Sequence, residues 1–279
     1  MTEIVTQTLS DSGVLTICMN RPEVLNSLNR PIVEQLIAAF NAASENDDVR
    51  CVIFTGAGRG FCAGADLANG EWPREEGWTP GDVTWHSMEK GYNVLGRALV
   101  NCDKPVICAV NGIAAGAGVG LALSADLTIA AKSASFKLVF GPQLGIIPDV
   151  GASWHVPQLV GRARANGLAM LGDSLLAEKA EKWGMIWEVV DDETLMEAAM
   201  AYGERMAASA ITGLKAVSRA HDKAMENSLD AQLDYERDMQ GHFCNQPVFF
   251  EGVSAFIEKR KPNFREIETA QIKAARESK

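Results

Sequence analysis

The stretch "KPVICAVNGIAAGAGVGLALSADLTIAA", Lys104 to Ala131, decides the fold because three elements follow one another in it. "PVICAV" is an apolar run of strand length, "AAGAGVGLALSA" predicts a helix opened by glycines, and "ADLTIAA" is a second apolar run. Strand, helix and strand in succession predict a unit of parallel sheet.

Segments on both sides extend this pattern. "EIVTQTLSDSGVLTICMN", Glu3 to Asn20, predicts a β-hairpin around Asp11-Ser12-Gly13, and Asn29 precedes a helix with Pro31 in its first turn. "VRCVIFTGAG" predicts a buried strand that ends in glycines. From about Val150 the pattern is helical, except for one strand candidate in "MIWEVV". We therefore predict an α/β fold with a mainly parallel sheet and a C-terminal helical region.

Composition limits the function classes. The chain has 279 residues, 47% of them hydrophobic, a net charge of −10, and no Lys/Arg cluster interleaved with aromatics, so nucleic-acid binding is disfavoured. The six cysteines form no C-x-x-C pair and are expected to be reduced thiols. No apolar run reaches the roughly 18 residues of a membrane span, and neither end reads as a targeting signal. These features predict a cytoplasmic protein that binds no membrane.

The segment from Leu67 to Gly91 has two prolines, three tryptophans and no sustained period. A long irregular loop in a compact domain is usually a functional lid or a disordered segment. Disordered segments are poor in aromatic residues, so the tryptophans favour a lid.

Two small-residue loops are candidate ligand contacts. In "TGAGRGFCAGADL", Thr55 to Leu67, the third position of a dinucleotide fingerprint holds Phe61, so a Rossmann site is disfavoured. Ala63-Gly64-Ala65 lets a ligand approach the backbone, although a simple tight turn explains the same residues. Ala115 to Gly120 would open a helix with unpaired N–H groups, although tight helix–sheet packing also favours Gly and Ala. Each loop is predicted to follow the C-terminal end of a long buried strand. Together the loops can aim two backbone donors at one carbonyl oxygen, each contributing about 3 kcal/mol to an oxyanion.

Other catalytic signatures are missing from the sequence. The four histidines have no zinc-ligand spacing, so no metal site is expected, and there is neither a G-x-S-x-G elbow nor a P-loop. His155 is more typical of a structural helix residue than of a ligand.

These motifs, together with "GIIPDVGASWHVPQLVGRARANGLAMLGD", "AEKAEKWGMIWEVVDD" and "EGVSAFIEKRKPNF", resemble the enoyl-CoA hydratase/isomerase (crotonase) superfamily over nearly the whole chain. The resemblance implies a spiral of ββα units in 1–200, which carries the active site, and a helical oligomerisation region in 201–279. It implies homotrimers or dimers of trimers, an acyl-CoA thioester substrate, and no cofactor beyond the coenzyme A of the substrate. It also implies that the amides of Ala65 and Ala117 form the oxyanion hole.

Two departures from the family pattern bear on the reaction. Hydratases of the family carry two catalytic glutamates, and the corresponding positions here are Gly120 and Gly141, which we expect to leave room for a bulky acyl group. The remaining carboxylate near the implied thioester is Asp149. It is either the N-cap of the next helix or an acid/base whose pKa is raised by an apolar wall of Val139, Phe140, Leu144 and Ile146.

A single acid of this kind takes a proton from one carbon and returns it to another, which is isomerisation. The Asp149 segment is most similar to family members that rearrange an aromatic-ring epoxide of an acyl-CoA and that also shift double bonds in unsaturated acyl-CoAs. The alternatives are a Δ3,Δ2-enoyl-CoA isomerase or other hydratase/isomerase of fatty-acid oxidation, a dehalogenase-like enzyme with Asp149 as nucleophile, and a non-catalytic CoA-binding or RNA-binding homologue. The expected substrate and CoA contacts, some from the 21–24 segment and one from a neighbouring subunit's C-terminal region, are Val24, Ala63, Gly64, Asp66, Leu67, Gly116, Gly120, Phe140, Gly141, Leu144 and Lys259.

Overall fold

The structure is a computed structural model that describes residues 3–277, with the side chains of 3–271. Its strands are β1 (Val5–Leu9), β2 (Val14–Met19), β3 (Cys51–Gly56), β4 (Gly60–Cys62), β5 (Val106–Val110), β6 (Ile113–Ala115), β7 (Leu127–Ala131), β8 (Ser135–Lys137), β9 (Leu175–Leu176) and β10 (Glu188–Val190). Its α-helices are α1 (Arg30–Glu45), α2 (Pro80–Ser87), α3 (Asn93–Val100), α4 (Ala117–Leu123), α5 (Ala152–Val160), α6 (Arg162–Leu171), α7 (Ala177–Lys182), α8 (Leu195–Ala207), α9 (Ile211–Ala224), α10 (Leu229–Cys244), α11 (Pro247–Glu258) and α12 (Phe264–Glu277).

The larger sheet has the order β1-β2-β3-β5-β7-β10. Strands β1 and β2 are antiparallel and form the predicted hairpin, in which Gly13 takes a positive φ of 86°. All other neighbours in this sheet are parallel. Strands β3 and β5 are completely buried, as their unbroken apolar runs predict. Helix α1 begins where Asn29 predicts, because the Asn29 side chain accepts a hydrogen bond from the Ile32 amide at 3.3 Å.

A second, smaller sheet has the order β4-β6-β8-β9 and was not predicted. Its strands contain two or three residues each, too few to show a period of two. The chain enters the larger sheet at β3, β5 and β7 and each time continues into the smaller sheet at β4, β6 and β8. This alternation is the spiral of ββα units that the sequence resemblance implies, and the predicted fold class is confirmed.

The segment from Leu67 to Gly91 was predicted to be an irregular loop. Part of it is regular, because it contains α2. Thr79 caps this helix through a reciprocal capping box with Asp82, and Pro80 occupies the first turn. The Thr-Pro-Gly-Asp sequence is a helix-start signal that the search for a long apolar period missed.

Helix α8 packs on the larger sheet and runs through residue 200, where the sequence analysis placed the region boundary. Its Gly203 lies so close to the sheet that a Cβ atom there would be 2.9 Å from Cγ1 of Val14. The division into a core and an oligomerisation region stays a prediction.

A buried ion pair joins the C-terminal helices to the core. The Arg50 guanidinium lies 2.8 Å from the Glu268 carboxylate, and both side chains are at most 1% exposed. Glu268 also accepts hydrogen bonds from the amides of Ile211 and Thr212 at the start of α9, and Arg50 donates to the Ala207 carbonyl. The two charges therefore connect β3, α8, α9 and α12.

All six cysteines lie within the described residues and none forms a disulfide bond. In the part of the chain that the structure describes, no helix is both long and apolar enough to cross a membrane.

Candidate active site

The two small-residue loops leave the same edge of the smaller sheet. Ala63-Gly64-Ala65 follows β4, and Gly116 and Ala117 follow β6, while β4 and β6 are parallel neighbours. The sequence analysis placed these loops after the long buried strands. They instead follow the short strands that come next in the chain, and because parallel strands end at one edge, the loops lie together.

The loops touch through backbone atoms. Gly64 has a φ of +92°, and a Cβ atom on it would lie 2.9 Å from the Ala115 carbonyl oxygen and 3.4 Å from the Ala117 nitrogen. Gly116 also has a positive φ, of 54°, and its Cα would be 3.5 Å from that same Cβ. Glycine is required at position 64 because no side chain fits between the loops.

Two backbone amides are available at this junction. Ala117 is the first residue of α4, so its N–H has no acceptor within the helix. The neighbouring amides on the other loop are occupied, since Ala63 donates to the Leu25 carbonyl and Asp66 to the Leu28 carbonyl. No hydrogen bond from the amide of Ala65 or Ala117 is found among the described residues. The structure therefore brings the two predicted donors to adjoining loops.

Asp149 lies on the turn that packs against α4, the helix that begins at Ala117. Its Oδ1 atom is buried and has no hydrogen-bond partner within the described residues. Burial raises the pKa of the carboxyl group to about 6, because removal from water disfavours the charged form. A largely buried carboxyl group with one unpartnered oxygen can exchange a proton with a ligand.

Asp149 does not cap the following helix with its side chain, contrary to one of the two sequence interpretations. The N-cap of α5 is Gly151, with a φ of +80° and no side-chain hydrogen bond to the first turn. The Asp149 main-chain carbonyl accepts from the Ala152 amide at 2.9 Å instead. The turn before α5 is thus closed by backbone atoms, and the Asp149 carboxylate does not take part in the cap.

Cys62 and Tyr92 are neighbours of the Asp149 carboxylate that the sequence analysis missed. Burial raises the pKa of both side chains to about 12, and the negative charge of Asp149 adds to each rise. The Tyr92 hydroxyl donates to the Leu28 carbonyl at 2.9 Å and accepts from the Trp72 indole at 3.3 Å. Nothing in a single sequence connects these residues, since Cys62 lies 87 positions and Tyr92 lies 57 positions from Asp149.

The sequence analysis predicted that Gly120 leaves room for an acyl group, because it has no glutamate side chain. This prediction is wrong. A Cβ atom on Gly120 would lie 2.2 Å from the Val150 carbonyl oxygen and 3.1 Å from that of Asp149. The backbone of the acid-bearing turn therefore fills this space. At Gly141, which is exposed, a Cβ atom would lie 3.1 Å from the Ala169 carbonyl oxygen.

The four residues of the predicted apolar wall do not all enclose Asp149. Val139 and Phe140 lie by the two small-residue loops, since a Cβ atom on Gly116 would be 3.6 Å from Val139 and 3.8 Å from the Phe140 ring. Leu144 and Ile146 are 45% and 51% exposed, so they do not enclose the carboxylate of Asp149 in this structure.

The segments expected to face coenzyme A lie side by side. The Arg21 guanidinium pairs with the Asp66 carboxylate at 3.2 Å, and the Leu28 amide donates to the Gly64 carbonyl at 2.8 Å. Val24 and Leu67 on these segments are 37% and 77% exposed. Lys259 lies far along the chain, at the C-terminal end of α11, and its predicted contact across a subunit boundary stays a prediction.

The first part of the predicted lid is fixed to the core. Trp72 lies on Gly91, where a Cβ atom would be 2.0 Å from the indole ring, and the rings of Trp72 and Tyr92 are 5.2 Å apart. Glu71 accepts a hydrogen bond from the Asn29 side chain. Among the described residues, no three His, Cys, Asp or Glu side chains are grouped as metal ligands.

Comparison with known proteins gives a consistent result. Residues 10–267 match the family described as enoyl-CoA hydratase/isomerase. The chain is 48% identical to the 1,2-epoxyphenylacetyl-CoA isomerase of Escherichia coli K12, over 91% of this chain and 95% of the relative. It is 40% identical to a Rhodobacter capsulatus protein named "Probable enoyl-CoA hydratase", over 90% and 94%. Among solved structures, the Bacillus anthracis enoyl-CoA hydratase has a TM-score of 0.86 and 31% identity, covering 94% of this chain and 99% of that one.

Proposed function

The chain belongs to the enoyl-CoA hydratase/isomerase family, and from that membership we propose that it is an isomerase of acyl-CoA thioesters. The observation that carries the proposal is the Asp149 carboxyl group, whose Oδ1 is buried and unpartnered and whose turn packs on α4, the helix that begins at Ala117. Adding water to a double bond by the family's two-glutamate mechanism needs a second positioned carboxylate. At the two positions implied for the glutamates this chain has Gly120 and Gly141.

In the proposed reaction, the parts of the site act one after another. The amides of Ala65 and Ala117 donate to the thioester carbonyl oxygen, which makes the neighbouring carbon more acidic. Asp149 removes a proton, and the negative charge that forms moves to the carbonyl oxygen, where the two amides stabilise it. Asp149 then returns the proton to another carbon. The double bond has moved and no group has been added.

The substrate that we propose is the ring 1,2-epoxide of phenylacetyl-CoA. Breaking the carbon–carbon bond shared by the epoxide and the six-membered ring, with its electrons forming ring double bonds, gives the isomeric seven-membered oxepin, and the removal and return of one proton by Asp149 moves a double bond into conjugation with the thioester. Support comes from the 48% identity to a relative whose name states that substrate. Double-bond migration in unsaturated acyl-CoAs is proposed as a second activity of the same site, since it needs only one acid/base and the oxyanion hole. Coenzyme A is part of the substrate, and we propose no further cofactor and a cytoplasmic location.

A panel of thioesters tests this proposal. The ring epoxide, a cis-3-enoyl-CoA and a trans-2-enoyl-CoA are each incubated with the protein, and the products are identified by mass and absorbance. We expect isomers of the first two and negligible hydration of the third. Efficient hydration of the trans-2-enoyl-CoA without isomerisation of the others would show that the protein is a hydratase.

We also propose assembly as a homotrimer or a dimer of trimers. Large apolar side chains on α11 support this, because Phe250, Phe256 and Ile257 are 59%, 85% and 72% exposed in one chain. With a chain mass of 30.0 kDa, light scattering is expected to give about 90 or 180 kDa. A mass of 30 kDa at micromolar concentration would contradict the proposal.

A further inference from the structure

The turn that carries Asp149 has a backbone conformation that its sequence disfavours. Val150 has a φ of +47° and Gly151 a φ of +80°, so two successive residues are left-handed. Glycine adopts this conformation freely, but a β-branched residue such as valine rarely does. Val150 is also buried, with 5% exposure. Contacts from the surrounding structure must therefore hold the turn in place.

One side of the turn rests on α4 and α3. The Val150 carbonyl lies on Gly120, where any side chain would collide with it. The Val150 side chain lies over Gly96 of α3, 3.6 Å from where a Cβ atom would be. These contacts place the turn one helical turn beyond Ala117, on the helix that provides the oxyanion donor.

The turn also borders a cavity of about 310 Å³, which is lined by Gly96 and Arg97 of α3 and by Ser124, Val150, Gly151 and His155. Packing alone does not prevent the turn from relaxing in this direction, because there is space for it to move into. His155 is the side chain that lies against the turn here. Its ring would be 3.1 Å from a Cβ atom on Gly151, and its amide donates to the Gly151 carbonyl at 2.9 Å.

A hydrogen-bond chain fixes the His155 ring. Ser124 Oγ donates its one proton to the Gly120 carbonyl at 2.8 Å, so toward Nε2 of His155, 3.3 Å away, it acts as an acceptor. His155 therefore carries a proton on Nε2. Burial lowers the pKa of the ring, which favours its neutral form. The chain connects the ring to Gly120, the residue on which the turn rests.

We propose that His155 is a positioning residue of the isomerase: hydrogen-bonded through Ser124 to Gly120, it holds the left-handed Val150–Gly151 turn and thereby the Asp149 carboxyl group at the oxyanion hole. The role rests on the proposed function only in the identity of the reaction. The position of the carboxyl group is a property of the protein without substrate, so it is measurable independently of activity.

The variants His155→Leu and His155→Gln separate hydrogen bonding from bulk. Leucine fills space but cannot donate, whereas the glutamine amide can donate to Ser124 Oγ. The exposed His221→Leu in α9 is the matched control. The Asp149 carboxyl carbon is followed by ¹³C NMR during a pH titration and assigned with Asp149→Asn, and kcat and KM are measured with a cis-3-enoyl-CoA. Asp149 titrates beside Cys62 and Tyr92, whose own titrations lie far higher.

In His155→Leu we expect the turn to loosen, so that water reaches the carboxyl group and its titration midpoint falls toward the ordinary aspartate value. We expect kcat to fall at least tenfold while KM changes less than threefold, and His155→Gln to recover most of both. Wild-type midpoint and kcat in folded His155→Leu would overturn the proposal, as would equal losses in the leucine and glutamine variants. If His155→Leu does not fold, Ser124→Ala takes its place, with the same expected changes.

The two proposals fail in different ways. If wild type isomerises none of the thioesters but the Asp149 midpoint falls in His155→Leu, the positioning role stands and the proposed function is wrong. If wild type is an active isomerase and both the midpoint and kcat are unchanged in the variant, the proposed function stands and the positioning role is wrong.

Discussion

The carbonyl oxygen of Val150 occupies the space into which a side chain at Gly120 would extend, 2.2 Å from the position of its Cβ atom. The absence of a glutamate at this position is therefore coupled to the conformation of the turn that presents Asp149. One site cannot hold both the glutamate and this turn. The missing side chain at position 120 and the placement of the Asp149 turn therefore depend on each other.

Replacing Gly120 by glutamate is accordingly expected not to create hydratase activity. The new side chain would displace the Val150 backbone, so isomerase activity should fall at least a hundredfold and overpacking should reduce stability by about 1–3 kcal/mol. Gly167→Glu in α6 is the control, since nothing lies within 4 Å of a Cβ atom there. Hydration of a trans-2-enoyl-CoA and isomerisation of a cis-3-enoyl-CoA are both assayed. A gain of hydration in Gly120→Glu would show that the turn does not exclude an acid at 120.

The isomerase rate is expected to depend on pH through Asp149. The carboxyl group must be ionised to accept the first proton, and its pKa is raised to about 6 by burial. The value of kcat/KM should therefore be constant above pH 7 and decrease tenfold per pH unit well below 6. The measurement is a pH profile with a substrate that does not ionise in this range. A profile that stays flat down to pH 4.5 would mean that a group with an ordinary carboxyl pKa removes the proton.

Asp149→Asn is expected to stabilise the protein at neutral pH. Because the folded-state pKa of Asp149, about 6, lies above the ordinary aspartate value of 3.8, the folded state binds more protons than the unfolded state between these values. Stability contributed by this group is thus present at low pH and lost as the pH rises through 6, at a cost of up to about 3 kcal/mol. Asparagine removes that cost. Urea unfolding at pH 7 and pH 4.5 should show a gain at pH 7 that shrinks at pH 4.5. An unchanged or lower stability at pH 7 would contradict the assigned burial of the charge.

Glu268→Gln is expected to destabilise the fold strongly. The change leaves the buried Arg50 guanidinium without its counter-charge, which typically costs about 3–5 kcal/mol. Asp234→Asn, which breaks an exposed pair with Arg237 on α10, should leave the unfolding midpoint unchanged. Urea midpoints are compared at one protein concentration, because assembly would also shift them. Equal effects of the two substitutions would show that α12 does not depend on the buried pair.

Elements of the fold could be predicted from the sequence where they depend on residues close together in the chain. The hairpin at Asp11-Ser12-Gly13, the start of α1 at Asn29 and the buried strand β5 depend on turn residues, a cap and an apolar run. The strands β4, β6, β8 and β9 were missed because two or three residues carry no period. The loops that bear Ala65 and Ala117 were identified from their small residues and from the family resemblance, but the strands from which they leave were not.

The surroundings of Asp149 could not be predicted, for a physical reason. Its burial depends on contacts between residues that are distant in the chain, such as Cys62 and Tyr92. Its position depends on a left-handed Val150, which sequence propensity argues against. The left-handed valine is thus a departure from local backbone preference at the candidate site. Only the folded structure shows which contacts hold the backbone in this conformation.

The most direct test of the central claim, that Asp149 is the single proton carrier of an acyl-CoA isomerase, is the rate of double-bond migration in Asp149→Asn. Asparagine keeps the size and shape of the side chain but cannot accept the proton at neutral pH. With a cis-3-enoyl-CoA, kcat should fall at least a thousandfold, while the affinity for the thioester, measured by calorimetry, stays within a few-fold of wild type. Wild-type kcat in a correctly folded Asp149→Asn would contradict this mechanism.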